Sequence, residues 1–275
     1  NNTVPMNDNR IAMEKELRFY SSTSRDFAML KTDASNIMMK WRRSSWDGMV
    51  NLFSFDNAGT FTSNKSVELV RDGGQYNDLI KGPGNIYIGA EQGYYRENNF
   101  NKWGLLISTL STDGTNDVQI IDTERMTQYS NDNTTSYYKY PSLTALNDSI
   151  YAVGYRGYGH DGFIETFKVS AGGQITRLQS YEYDTNESEY NKLVRVDNNT
   201  VAILFKGYQG SWGGHVMTLD IAPDGSSITK VATKKVHNNI YYIEFVHLRD
   251  DLYVAAYKGD SSDGYITTLT ISKDG

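Results

Sequence analysis

Ser142-Leu143-Thr144-Ala145-Leu146-Asn147-Asp148 is followed by Ile150-Tyr151-Ala152-Val153-Gly154-Tyr155-Arg156-Gly157 and then by Asp161-Gly162-Phe163-Ile164-Glu165-Thr166-Phe167-Lys168-Val169. The same order returns at residues 245–251, 252–259 and 263–271, where the chain stops one strand short of a full unit. Residues 9–17 (Asn9-Arg10-Ile11-Ala12-Met13-Glu14-Lys15-Glu16-Leu17) match the slot that residues 173–181 fill in the earlier unit. A repeat completed from the opposite terminus predicts a ring. The strand around Ile11 to Phe19 is therefore expected to pair with Tyr265 to Ile271 and hide two sheet edges.

Aligned on the glycine that opens the third strand, the units fall at Gly48, Gly104, Gly162, Gly214 and Gly264, with spacings of 56, 58, 52 and 50. A second glycine follows each at ten or eleven residues: Gly59, Gly114, Gly172, Gly225 and Gly275. Periods near 50 with four strands each are those of β-propeller blades. The chain thus reads as one all-β domain over 1–275, a five-bladed propeller with four-stranded blades. Blades are expected at 21–70, 71–130, 131–184, 185–237, and 238–275 plus 8–20.

Strand type follows from local pattern. Residues 150–155 and 201–205 are continuous apolar runs, suited to strands covered on both faces. Residues 163–169 and 265–271 interleave Thr and Lys, suiting strands further from the axis. Asn147-Asp148, Asn198-Asn199 and Asp250-Asp251 are hairpin turns. The insert Tyr94 to Lys102 and the run Ser130 to Tyr140 predict long polar, aromatic loops.

This order of strands resembles kelch-type propeller repeats, with Tyr155-Arg156-Gly157, Phe205-Lys206-Gly207 and Tyr257-Lys258-Gly259 in place of that family's paired glycines. In blade number the chain is also similar to tachylectin-type lectins and to the furanosidase glycoside hydrolases, without the motifs of either.

Composition sets outer bounds. The 275 residues carry a net charge of −6 with the basic residues scattered, which argues against a nucleic-acid partner. No apolar run is long enough to span a bilayer as a helix. With no cysteine, disulfides and thiolate chemistry are excluded. Six Asn-x-Ser/Thr sequons, at Asn1, Asn64, Asn133, Asn147, Asn186 and Asn198, and a first residue other than Met point to an extracellular or cell-surface location.

Two constellations carry the functional expectation. Loops between second and third strands open on one face and hold Trp46, Asp47, Trp103, Tyr158, His160, Asp161 and Trp212. Aromatic faces beside carboxylates suit a sugar, so these residues are expected to bind glycan or a protein partner. The competing reading has each tryptophan plugging the gap between blades. The second constellation is an axial ring: Asp26, Asp78, Ser142, Lys192 and Glu244 each precede the first apolar residue of an inner strand. Such a ring would line a solvated pore, hold calcium, or supply the acid and base of glycosidic cleavage. The four histidines show no metal-ligand spacing, and no cofactor is expected unless calcium sits in the ring.

The leading expectation is a non-enzymatic, secreted or surface propeller that binds glycan or a protein through its loop face. The alternatives are a structural subunit of a filament, capsid or surface layer, built as a homo-oligomer, and a glycoside hydrolase.

Overall fold

The computed structural model describes residues 16–58, 60–63, 66–70, 73–97, 100–113, 117–126 and 138–272. They form an all-β, five-bladed propeller of antiparallel sheets. The first blade is β1 (Ser24–Lys31), β2 (Asn36–Arg43), β3 (Gly48–Phe55) and an outer edge split into β4 (Phe61–Ser63) and β5 (Val67–Val70). The second is β6 (Gln75–Lys81), β7 (Ile86–Glu97), β8 (Phe100–Thr112) and β9 (Val118–Arg125). The third is β10 (Lys139–Ala145), β11 (Ile150–Arg156), β12 (Gly162–Val169) and β13 (Ile175–Asp184). The fourth is β14 (Ser188–Arg195), β15 (Thr200–Tyr208), β16 (Trp212–Ile221) and β17 (Ile228–His237). The fifth contributes β18 (Tyr241–Arg249), β19 (Leu252–Lys258) and β20 (Gly264–Thr270).

The core lies between blades, because each sheet needs a neighbour on both faces. Tyr151, Val153 and Phe167 of the third blade pack with Ile88, Leu105 and Ile107 of the second, while Ala152 and Ile164 on the opposite face meet Val201, Ile203 and Met217 of the fourth. The continuous apolar β11 and β15 are buried along nearly their whole length, as expected for strands covered on both sides. Phe245, Tyr253 and Ala255 of the fifth blade pack on Val194, Ala202 and Leu204, whereas Val246, Leu248 and Ile266 are exposed.

Most of the expected closing strand lies in residues 1–15, outside the described residues. Residues 16–20 form no strand. Instead Phe19 meets Trp41 and Phe53 edge-on at 5.2 and 5.6 Å, so this segment rests on the first blade. The lengthened hairpin of the second blade also differs from expectation. Residues 94–97 and 100–103 continue the β7–β8 ladder, with Tyr94 opposite Trp103 and Glu97 opposite Phe100, so this stretch is strand and not open loop. The run 130–140 falls outside the described residues up to 137.

Candidate functional site at the axial mouth

Every inner strand begins with the same irregularity. Its pairing with the second strand slips between Arg25 and Ala28, Gln75 and Asp78, Lys139 and Ser142, Glu189 and Lys192, and Tyr241 and Glu244. The first residue inside each bulge has a left-handed backbone: Asp26, Tyr76, Tyr140, Tyr190 and Tyr242, at φ 54°, 53°, 55°, 56° and 51°. L-residues with side chains disfavour that region, and five blades accept it at one level. In blades two to five the side chain at this position lines one cavity at the mouth of the axial channel.

Four of the five are tyrosines, and they form an arc. Ring centroids of Tyr76 and Tyr140 lie 4.8 Å apart, those of Tyr140 and Tyr190 4.6 Å, and those of Tyr190 and Tyr242 5.2 Å. With Asn77, Pro141, Asn191, Lys192, Ile243 and Glu244 they line a cavity of about 240 Å³. Burial first, and neighbouring negative or phenolic groups second, push the Tyr76 and Tyr140 hydroxyls above their usual range, and burial raises Tyr190. These phenols stay protonated at neutral pH, so they serve as aromatic faces and hydrogen-bond donors rather than nucleophiles.

The fifth position is Asp26, whose carboxylate pairs with Arg42 Nε at 2.8 Å. Asn77 Nδ2 donates to the Asp26 carbonyl and to that of Gly74, tying the first two blades together at the mouth. Glu189 is a second carboxylate at this level, paired with Arg156 and Lys206 at 3.0 Å each.

One step down the channel lies the expected axial row, with one correction. Register places Asp78, Ser142, Lys192 and Glu244 opposite Ala90, Gly154, Leu204 and Ala256, and the equivalent residue of the first blade is Ala28, opposite Lys40. Asp26 is displaced from that row because Phe27, which looks like the strand's first apolar anchor, belongs to the bulge and is exposed. The row stitches blades together. Asp78 Oδ2 accepts from Leu143 N at 2.7 Å, Ser142 Oγ accepts from Leu193 N at 2.9 Å, and Lys192 reaches Glu244 at 3.2 Å. Burial pushes the Asp78 carboxyl above the usual carboxylate range despite these amide donors. Among the described residues no group of three or more His, Asp or Glu is placed to hold a metal ion.

The loop-face residues have differing local settings. Trp46 and Trp212 are half exposed, the first stacked on Arg42 at 4.4 Å and the second against Tyr208 at 5.6 Å. Trp103 instead packs on the core between blades two and three and touches Tyr94 at 5.5 Å. Asp47 is buried and consumed by Arg43 Nε at 2.6 Å and the Ser45 hydroxyl at 2.5 Å. Tyr158 is exposed and His160 partly so, in the turn at the top of the third blade. Asp161, next in line, is pushed up to about 6, by burial and then by Glu182 beside it.

No protein-family model matches the chain, and no curated protein does. Solved structures do. The NanB sialidase of Streptococcus pneumoniae (K499G mutant) superposes with a TM-score of 0.51 at 12% identity, over 82% of this chain and 35% of that one. A Lactobacillus plantarum protein gives 0.52 at 14%, over 90% of this chain and 70% of that one. A Bombyx mori GH32 beta-fructofuranosidase gives 0.47 at 10%, over 86% of this chain and 54% of that one. The chain thus spans about half the length of the Bombyx enzyme and a third of the sialidase. It is a β-propeller. Against the expectation of a non-enzymatic binder, the NanB protein that superposes on this chain is a sialidase. The expected non-enzymatic binding propeller is therefore set aside.

Proposed function

We propose that the axial mouth is the active site of a glycoside hydrolase. The observation that carries this reading is the break in the bulge row. Four blades place a tyrosine at the mouth, and the first places Asp26, an ion-paired carboxylate, in the same backbone position. A purely structural ring has no need of that exception. The arc of tyrosines supplies flat faces for a sugar, and the cavity of about 240 Å³ suits one ring.

Glycosidic cleavage needs a carboxylate to act as nucleophile or base and a carboxylic acid to protonate the leaving oxygen. Asp26 suits the first role through its pairing with Arg42. Asp78, on the adjacent blade and raised by burial, suits the second. The fold is shared with the pneumococcal NanB sialidase and is compatible with this chemistry. In this reading the protein is secreted or surface-exposed and acts on glycans there. Among the described residues, no helix is long and apolar enough to cross a membrane.

The test is a panel of 4-nitrophenyl glycosides with the wild type and Asp26→Asn. Turnover of at least one glycoside, falling by about 10²-fold or more in a folded variant, supports the assignment. Absence of turnover across the panel, or equal rates in the two proteins, overturns it.

A further inference from the structure

Second-strand residues that face the bulges form a row of their own. Register places Arg42, Gln92, Arg156, Lys206 and Lys258 opposite Arg25, Gln75, Lys139, Glu189 and Tyr241. Four of these five are cations, in a chain whose net charge is −6. Arg25 and Lys139 on the first strands add two more, the Lys139 ammonium lying 5.7 Å from the Tyr76 ring centre. Only Asp26 and Glu189 oppose them in ion pairs at this level among the described residues.

The excess is greatest on the third blade, where Lys139 faces Arg156 and the one nearby carboxylate, Glu189, is shared between Arg156 and Lys206. Burial first and Arg156 second hold the Lys139 ammonium below its usual range, so two cations are crowded where solvent is scarce. Arg156 is buried, and its Nε has no hydrogen-bond partner among the described residues. Asn191 lines the mouth, is 1% exposed, and has its Oδ1 committed to Tyr183 and Ser188 while Nδ2 donates to nothing described. Buried donors without acceptors are costly, and crowded cations repel. An anion at the mouth relieves both.

We infer that the glycan processed at this mouth carries an anionic group, a carboxylate or sulfate on the sugar ring, received by Arg156, Lys139 and Asn191. The inference rests on the hydrolase reading for the word "processed" and on the charge pattern alone for the anion. The tyrosine arc takes the ring, and the cations of the third blade take its charge. Guanidinium and ammonium together match a carboxylate or sulfate through charge-assisted hydrogen bonds.

Affinities for methyl glucoside, methyl glucuronide and methyl glucoside 6-sulfate, measured by titration calorimetry, test it directly. At least one acidic glycoside should bind about ten-fold or more tightly than the neutral one, and the difference should shrink as salt rises. Arg156→Met and Lys139→Gln should each remove most of that difference and leave neutral-sugar binding in place. Lys139→Gln touches no ion pair among the described residues and guards against misfolding of the arginine variant. Which acidic ligand gains identifies the group. Equal affinity for all three sugars, or an acid preference indifferent to both variants, overturns the inference. An acid preference without turnover of any glycoside preserves it and overturns the hydrolase reading. Turnover without acid preference does the reverse.

Discussion

Lys40 of the first blade lies across Gly89 of the second and forms an ion pair with Glu91, both side chains being fully buried between the sheets. A Cβ added at Gly89 would sit 2.6 Å from Lys40 Nζ, so the glycine makes the crossing possible. Lys40 also donates to the Ala90 carbonyl at 3.2 Å. The pair keeps two charges out of water only because each neutralises the other. Lys40→Met strands Glu91 and is expected to cost about 3–5 kcal/mol, whereas Lys40→Met with Glu91→Leu should recover most of that loss. Urea denaturation of the single and double variants measures the difference.

Glu165 makes stability depend on pH. Its carboxyl, buried in the third blade, accepts from Tyr155 at 2.5 Å and faces Arg177 at 3.3 Å. Burial, the largest influence, outweighs these partners and Arg125 and raises it to about 7. A carboxyl raised in the folded state holds its proton there after the unfolded chain has released it. Its contribution is therefore most favourable below the usual carboxylate range and declines as pH rises toward 7. Unfolding free energies at pH 5 and pH 8 should fall by about 3 kcal/mol more in wild type than in Glu165→Gln.

Ser142 joins the third blade to the fourth through Leu193 N on β14, the edge strand of its sheet. Ser142→Ala leaves that buried donor unpaired, and the expected cost is about 1–3 kcal/mol. Hydrogen exchange at Leu193 should accelerate in step. Full protection of that amide in the variant would show that another acceptor serves it.

The five blades were legible because two glycines recur at fixed places in each unit, and turns leave strong local marks. The mouth was only half legible. Tyr76, Tyr140, Tyr190 and Tyr242 stand two residues before Asp78, Ser142, Lys192 and Glu244, so the row is visible in the sequence once the bulge is known. A bulge has no composition of its own here, since non-glycine residues occupy its left-handed positions. That is why Phe27 passes for a strand anchor and Asp26 falls into the wrong row. The cationic row was hidden for another reason. Its members are some 50 residues apart or more, and only strand register brings them to one rim. Trp103 and Asp47 show the opposite error. A loop position in the alignment says nothing of whether a neighbouring blade or a nearby arginine has already claimed the side chain.

Asp78 decides how the proposed cleavage responds to pH and to leaving group. If it donates the proton, activity should fall as pH rises through its elevated pKa, and Asp78→Asn should abolish that alkaline limb. The same variant should be far more damaging for a methyl glycoside than for a 4-nitrophenyl glycoside, because nitrophenolate departs without protonation while methoxide does not. Asp78 also accepts from Leu143 N, so a loss of stability accompanies the change. Stability alone, however, cannot distinguish one leaving group from another. Equal loss on both substrates, with the alkaline limb intact, would make Asp78 a strut between blades and move the search for the acid to Glu244, which lines the mouth cavity, and to Glu189.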